Sequence, residues 1–165
     1  LQYKNEIIDT LKLLSTQNYK FIYGGGKIGL MGVAFKEINK CKGYITGIIP
    51  KILNKKNISQ NNKKNLIVVN SMYERKELMI KKADLILIFP GGYGTLDELF
   101  EVLTMNQLKI INKPIVIFNI EKYWDPLKFL IQNMYQQGFI SKEDLKHVHW
   151  ANSPKNVRTK IKKLI

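Results

Sequence analysis

Cysteine and arginine are scarce in this sequence, and long apolar runs are absent. The single cysteine, Cys41, cannot form an internal disulfide, which suits a reducing cytoplasm, and no motif of a catalytic base stands beside it. No apolar run approaches the roughly 20 residues that span a bilayer, so we expect no membrane association. The hydrophobic content of 45% in 165 residues favours a soluble globular protein with one domain, residues 1–165, and the single cysteine favours a cytoplasmic location.

Acidic residues are the other shortage, since 13 Asp and Glu stand against 27 Lys and Arg, for a net charge of +14. Such an excess can indicate nucleic-acid binding. However, the arginines are only Arg75 and Arg158, and bidentate reading of bases favours arginine over lysine. We therefore expect a solvated lysine surface, with which attraction of small anions is compatible, and nucleic-acid binding is a disfavoured alternative.

Short apolar runs alternate along the chain with segments of helical period. The apolar runs predict strands at 19–23, 43–50, 66–70, 84–89 and 113–119. The longer segments predict helices at 29–41, 71–83 and 95–108, and the chain after residue 123 predicts only further helices. This alternation predicts an α/β fold, a doubly wound, Rossmann-like parallel sheet with helices on both faces. Because residues 1–14 already have helical period, we expect that a strand normally preceding this helix has been left out of the sequence.

Glycines cluster in two turns between a predicted strand and a predicted helix, where open parallel sheets bind ligands. The first turn, "YGGGKIGLMG" at residues 23–32, contains Gly25 and Gly26. It matches neither the dinucleotide fingerprint nor the Walker phosphate loop, and such turns also need glycine for backbone reasons alone. This turn is therefore only a weak indication of a ligand site.

The second turn, "PGGYGT" at residues 90–95, directly precedes a predicted helix. Gly91, Gly92 and Gly94 leave their backbone N–H groups bare, and Thr95 adds a hydroxyl at the predicted helix start. Free N–H groups and the partial positive charge of a helix N-terminus favour phosphate binding. The alternative is an ordinary tight turn in which Thr95 is the N-cap residue.

Three carboxylates follow in the same helix, Asp97, Glu98 and Glu101. They could simply complement the helix dipole, but they would repel a bound phosphate unless they point elsewhere or a cation compensates. Glu98 and Glu101 lie three residues apart and share a face, so we expect Glu98 to reach a ribose and Asp97 to face solvent. The predicted cations are Arg75 and Lys76, unless Arg75 forms only a surface ion pair with a neighbouring glutamate.

Together, the motifs "YGGGKIGLMG", "MYERKELM" and "PGGYGTLDE" resemble the Lonely Guy (LOG) family, the cytokinin riboside 5′-monophosphate phosphoribohydrolases, often mislabelled lysine decarboxylases. The resemblance implies hydrolysis of the N-glycosidic bond of a nucleoside 5′-monophosphate, either AMP or a cytokinin ribotide. It further implies a homodimer and no metal or organic cofactor. Decarboxylation itself is disfavoured, because no lysine stands in a recognisable pyridoxal-binding context.

The resemblance also implies which residues act. Arg75 and Glu98 would be the catalytic pair, with Glu98 offsetting the positive charge of an oxocarbenium-like state. The N–H groups of Gly92 to Thr95 would hold the 5′-phosphate. The expected substrate-binding residues come from the two glycine turns and from polar positions near them: Gly25, Gly26, Lys76, Gly91, Gly92, Tyr93, Gly94, Thr95, Glu101 and Thr104.

Two positions depart from the family pattern. Asn57 stands where many members carry a substrate-contacting glutamate, and Met105 stands where an aromatic residue is typical, so the base preference stays open. A non-catalytic nucleotide-binding or carrier protein of the same fold is the main alternative, since a fold does not fix function. His147 and His149 have no ligand partners in the sequence and are expected to be structural.

Overall fold

The computed structural model describes residues 3–54 and 65–165, so Asn57 lies outside the described residues. The chain divides into two compact units, Leu1–Ala83 and Asp84–Ile165. Each unit contains parallel strands with helices between or after them. The α/β class is therefore confirmed, while a single domain over residues 1–165 stays a prediction.

The described part of the first unit contains three strands and three α-helices. In chain order they are α1 (Lys4–Ser15), β1 (Lys20–Tyr23), α2 (Gly29–Lys40), β2 (Tyr44–Pro50), β3 (Leu66–Val69) and α3 (Met72–Lys82), with a 3-10 helix at Lys51–Leu53 after β2. The strands form a parallel sheet in the order β1-β2-β3, and Gly47 in β2 is in register with Tyr23 of β1 and Leu66 of β3.

The core of the first unit follows from the apolar periods of its elements. Ile7, Leu11 and Leu14 of α1 are spaced three to four residues apart and are all buried, as expected for one face of a helix. The central strand β2 buries Ile48 and Ile49 on opposite faces of the sheet. A central strand covered on both faces explains why its sequence is a nearly continuous apolar run.

The second unit contains three further strands. In chain order its elements are β4 (Ile86–Ile88), α4 (Tyr93–Gln107), β5 (Ile115–Phe118), a 3-10 helix at Ile120–Lys122, α5 (Asp125–Gln136), α6 (Lys142–Leu145), β6 (Val148–Ala151) and α7 (Pro154–Leu164). The strands are parallel in the order β4-β5-β6. All four residues of β5 are fully buried, and a fully buried aliphatic or phenyl side chain contributes roughly 1.5–3 kcal/mol.

Two predictions about the second unit are wrong in detail. The chain after residue 123 is not purely helical, because β6 pairs with β5. This strand escapes the sequence pattern because Val148, His149 and Trp150 are only half-buried, so it shows no unbroken apolar run. The helix predicted to begin at Thr95 begins at Tyr93, because Gly92 is its N-cap residue.

Candidate functional site

The turn between β4 and α4 exposes the start of a helix. Gly92 is the N-cap residue of α4 and provides no side-chain cap, so the alternative in which Thr95 caps the helix is wrong. Gly92, Tyr93 and Gly94 are all exposed, and Tyr93 is 92% exposed. A Cβ atom added to Gly92 or Gly94 would meet open space. A ligand can therefore approach the backbone at these residues closely.

The backbone hydrogen bonds of this turn define which N–H groups face outward. The N–H groups of Thr95 and Leu96 both donate to the carbonyl oxygen of Gly92, at 3.1 Å each. The N–H groups of Tyr93 and Gly94 lie before these bonds and have no acceptor within the helix. The prediction that the Thr95 N–H holds a phosphate needs correction, because that group is already bonded within the turn.

Thr95 and Gly91 are packed directly against each other. A side chain on Gly91 would collide with the hydroxyl of Thr95, which lies close to the Gly91 Cα atom. Gly91 is thus required by the packing of the turn, whereas Gly92 and Gly94 keep its outer side open. The motif therefore combines a structural glycine with two glycines that leave room for a ligand.

The carboxylates of α4 differ in their exposure. Glu98 and Glu101 are half-buried, and the Oε2 atom of Glu101 is buried. Asp97 is exposed, as predicted. Thr104 is also exposed, and its hydroxyl donates to the carbonyl oxygen of Phe100 at 2.8 Å, within the helix. Of the two half-buried carboxylates, Glu98 is the one closer in sequence to the open start of α4.

Tyr123, which the sequence analysis did not select, forms a hydrogen bond to the backbone of this turn. The hydroxyl of Tyr123 donates to the carbonyl oxygen of Gly91 at 2.7 Å. The Tyr123 ring packs edge-on against Trp124, with a centroid distance of 4.7 Å and an interplanar angle of 81°. The available signal was positional, because "YWDP" follows β5 at the carboxyl edge of the sheet, where ligand-binding loops gather.

Asn119 organises the loop that carries Tyr123. Its side-chain oxygen accepts from the N–H of Trp124 at 2.7 Å, and its amide nitrogen donates to the carboxylate of Asp125 at 2.7 Å. Its own backbone N–H donates to the carbonyl oxygen of Ala151, also at 2.7 Å. Asn119 is 7% exposed, so a buried polar residue with three bonds anchors this loop to the sheet.

Arg75 and Lys76 lie half-buried near the start of α3, in the first unit. Ser71 caps this helix as predicted, since its hydroxyl accepts from the N–H of Glu74 at 3.0 Å. The Arg75 Nε atom donates to the carbonyl oxygen of Ile48 at 3.2 Å, and its guanidinium lies against Gly24. Arg75 is therefore held at the carboxyl ends of β1 and β2.

The first glycine turn has structural reasons for its composition. Gly25 has a φ of +72°, a conformation that favours glycine, and a Cβ atom there would lie 3.0 Å from the Ile49 Cβ atom. A Cβ atom on Gly47 would lie 2.8 Å from the Gly25 Cα atom, so the turn packs closely on β2. Gly25 and Gly26 are both buried, whereas Gly24, absent from the predicted site, contacts Arg75.

Outside these turns, the described residues contain no candidate metal site and no membrane-spanning helix. Among residues 3–54 and 65–165, no group of three His, Cys, Asp or Glu side chains could hold a metal ion. No helix of the described chain is long and apolar enough to cross a membrane. Burial, followed by the charges of Lys160, His147 and Lys163, lowers the pKa of His149. His149 is half-buried in β6, which agrees with a structural role.

These features define an α/β protein with parallel strands, in which glycine turns and an open helix start lie at the carboxyl ends of strands. A family model described as "Possible lysine decarboxylase" matches residues 31–161. Cytokinin riboside 5′-monophosphate phosphoribohydrolase LOG5 from Arabidopsis thaliana is 36% identical over 162 residues, which cover 98% of this chain and 70% of LOG5. The chain belongs to this LOG family.

A relative from rice supports the same family assignment. Probable cytokinin riboside 5′-monophosphate phosphoribohydrolase LOGL2 from Oryza sativa subsp. japonica is 34% identical over 159 residues, 96% of this chain and 65% of the relative. The chain thus spans about two thirds of the length of these curated relatives.

The solved structures resemble the chain in fold. The molybdenum cofactor binding protein from the phototrophic bacterium Rippkaea orientalis has a TM-score of 0.73 at 22% identity, covering 97% of this chain and 86% of that chain. The molybdenum cofactor carrier protein from Chlamydomonas reinhardtii has a TM-score of 0.72 at 20% identity, covering 99% and 88%. At these identities the similarity establishes a shared Rossmann-like fold, but it does not establish a shared ligand.

Proposed function

We propose that the protein hydrolyses the N-glycosidic bond of a purine riboside 5′-monophosphate, either a cytokinin ribotide or AMP, to the free base and ribose 5-phosphate. The observation that carries the proposal is the open start of α4 at Gly92–Gly94, followed within two turns by the half-buried carboxylate of Glu98. Membership of the LOG family supports it, since the relatives are named as cytokinin riboside 5′-monophosphate phosphoribohydrolases.

The helix start supplies the phosphate-binding half of the site. The outward N–H groups of Tyr93 and Gly94, together with the positive end of the α4 dipole, would bind the 5′-phosphate. The glycines on either side of Tyr93 allow the phosphate oxygens to come within hydrogen-bond distance of the backbone. The exposed Tyr93 side chain, Lys76 and Thr104 remain proposed contacts of the rest of the nucleotide.

Glu98 is the residue proposed to stabilise the charge that develops during the reaction. When the bond between ribose C1′ and the base nitrogen breaks, its electron pair leaves with the base and positive charge develops on the ribose ring. A carboxylate of Glu98 beside that ring would stabilise the charge, while Glu101 supports it from the next turn of the same helix face. A water oxygen then bonds to C1′, one proton of the water is lost, and the base takes up a proton.

Arg75 is the second proposed catalytic residue. Its Nε–H donates to the Ile48 carbonyl, which places the guanidinium at the carboxyl ends of β1 and β2. A planar guanidinium suits phosphate or another anion, and we propose that it orients the nucleotide and stabilises negative charge on the departing base. Its role is tested independently of Glu98 by substituting each residue alone.

The decisive experiment incubates the full-length protein with isopentenyladenosine 5′-monophosphate and, separately, with AMP, and quantifies the released base by chromatography. We expect base release from at least one substrate. Glu98→Gln should lower the turnover number by roughly 10²–10³-fold, because a preorganised electrostatic group has an effect of that size. The dissociation constant for the nucleotide should change little, since Glu98 acts mainly on the transition state.

Asp97→Asn is the matched control, because Asp97 is the exposed carboxylate next to Glu98. This variant should keep nearly the wild-type turnover. If neither nucleotide yields free base although both bind, the protein is a binding or carrier protein and the hydrolase proposal is wrong. Near-normal turnover in Glu98→Gln would remove Glu98 from the mechanism while leaving the reaction in place.

We also propose that the protein is a cytoplasmic homodimer, as the LOG resemblance and the single cysteine suggest. Light scattering during size-exclusion chromatography should give a mass twice that of the monomer, which is 19.2 kDa for this chain. A monomeric mass at micromolar concentration, with base release intact, would show that one subunit is sufficient.

A further inference from the structure

The turn that presents the outward N–H groups of α4 is held by a side chain from outside the turn. The Tyr123 hydroxyl donates to the Gly91 carbonyl oxygen at 2.7 Å, and Gly91 is flanked by Pro90 and Gly92. Tyr123 belongs to the loop after β5, 32 residues further along the chain. A side chain so distant in sequence is therefore part of the support of residues 90–95.

The geometry of the peptide bond explains what this contact controls. The Gly91 carbonyl and the Gly92 N–H belong to one planar trans peptide, in which they point in opposite directions. Fixing the carbonyl on one side therefore fixes the N–H on the other side. A peptide between two glycines rotates at little steric cost, so an external hydrogen bond has a large influence on its orientation.

The loop that carries Tyr123 is itself well anchored. Asn119 binds the N–H of Trp124 and the carboxylate of Asp125 through its side chain, and Trp124 is 4% exposed. The T-shaped contact between Tyr123 and Trp124 then fixes the direction of the Tyr123 ring. The Tyr123 hydroxyl is thus carried by a loop that Asn119 ties to the sheet.

We propose that Tyr123 is a positioning residue, which orients the Gly91–Gly92 peptide so that the Gly92 N–H joins those of Tyr93 and Gly94 toward the 5′-phosphate of the substrate. This inference rests on the proposed function. It predicts a specific defect: loss of the hydroxyl weakens recognition of the phosphate and leaves recognition of the base and ribose unchanged.

Tyr123→Phe removes only the hydroxyl, because phenylalanine keeps the ring that packs on Trp124. The side chain is 38% exposed, so we expect the thermal unfolding midpoint to change little. The test measures dissociation constants by calorimetry for isopentenyladenosine 5′-monophosphate and for isopentenyladenosine, which lacks the phosphate. We expect the monophosphate to bind roughly three- to tenfold more weakly, the loss typical of one hydrogen bond, and the riboside to bind as in the wild type.

Kinetics give a second readout that a purely structural role would not produce. In Tyr123→Phe, the KM for the monophosphate should rise while kcat stays within about twofold of the wild-type value, because phosphate binding is equal in the ground and transition states. Tyr44→Phe is the matched control, since Tyr44 is an exposed tyrosine at the start of β2 and its hydroxyl can be removed without affecting the turn. Its binding constants should equal those of the wild type.

The outcomes separate this inference from the proposed function. If wild-type protein binds the monophosphate more tightly than the riboside and Tyr123→Phe does so to the same extent, the positioning role is wrong and the proposed site stands. If Tyr123→Phe weakens both ligands equally, the residue is structural and the inference is overturned. If the wild type itself does not distinguish the two ligands, the start of α4 does not bind the 5′-phosphate, and both the positioning role and the proposed phosphate site are wrong. Base release then still decides the hydrolase proposal.

Discussion

The guanidinium of Arg75 lies in the space that a side chain on Gly24 would occupy. The Nη2 and Cζ atoms of Arg75 and the sulfur of Met31 would be the nearest neighbours of such a side chain. Together with the bond from Arg75 Nε to the Ile48 carbonyl, this packing fixes where the guanidinium lies. The absence of a side chain on Gly24 thereby leaves room for the guanidinium of an arginine that stands 51 residues later in the sequence.

Gly24→Ala should therefore displace Arg75 while leaving the strand in place, because the end of an arginine side chain moves more easily than backbone. We expect a folded protein whose base release falls roughly ten- to a hundredfold, since an ångström-scale misplacement of a catalytic group has an effect of that order. The measurement is kcat/KM for the monophosphate, with circular dichroism as the check of folding.

The double variant Gly24→Ala/Arg75→Ala provides the control for this prediction. Once Arg75 is truncated, the added methyl group has room, so the double variant should be no less active than Arg75→Ala alone. Equal losses from Gly24→Ala in both backgrounds would show that Gly24 acts without Arg75.

Asn106 should make a large contribution to stability. It is 4% exposed, its side-chain oxygen accepts from the Lys113 N–H at 2.9 Å, and its amide nitrogen donates to the Lys113 carbonyl at 2.9 Å. Asn106→Leu removes both bonds from a buried position and should lower the free energy of unfolding by roughly 2–3 kcal/mol, measured in urea. Asn112→Ala, at an exposed asparagine in the loop between α4 and β5, should change the free energy of unfolding by less than about 0.5 kcal/mol.

His149 should make stability depend on pH. Its pKa is lowered from the ordinary value of 6.5, first by burial and then by Lys160, so the unfolded chain binds the proton more readily than the folded protein. The contribution of His149 to stability is therefore complete above pH 6.5 and decreases as the pH falls below 6.5 toward the folded pKa. Urea unfolding across this range should show the decrease, and His149→Gln should reduce it. An unchanged pH dependence in His149→Gln would assign the effect to another group.

Much of the fold follows from the sequence because it depends on local patterns. The five predicted strands are those with short apolar runs, and β5, buried along its whole length, shows an unbroken one. Ser71 is predictable as a cap because its hydroxyl serves an N–H only three residues away. The strand β6 is not predictable in this way, because its pairing with β5 provides a stability that its half-buried residues do not reveal.

The site is predictable where a motif is continuous and unpredictable where residues meet from distant segments. Gly92 and Gly94 are found by their spacing before a helix, although the start of α4 depends on a cap that no side chain provides. Tyr123 and Gly24 act through residues 32 and 51 positions away, so no local pattern marks them. Their selection required the three-dimensional contacts, and the catalytic roles of Arg75 and Glu98 stay predictions.

The side chain of Asn106 also closes the base of the loop formed by residues 108–112, because it binds both backbone groups of Lys113. A loop whose two ends are held in this way tolerates added length well, since the entropy of closure grows only slowly with the number of residues. A short epitope or a fluorescent label inserted next to the exposed Asn112 should therefore leave the flanking helix and strand intact. The same amide that stabilises the fold thus makes this loop a suitable attachment point for a reporter.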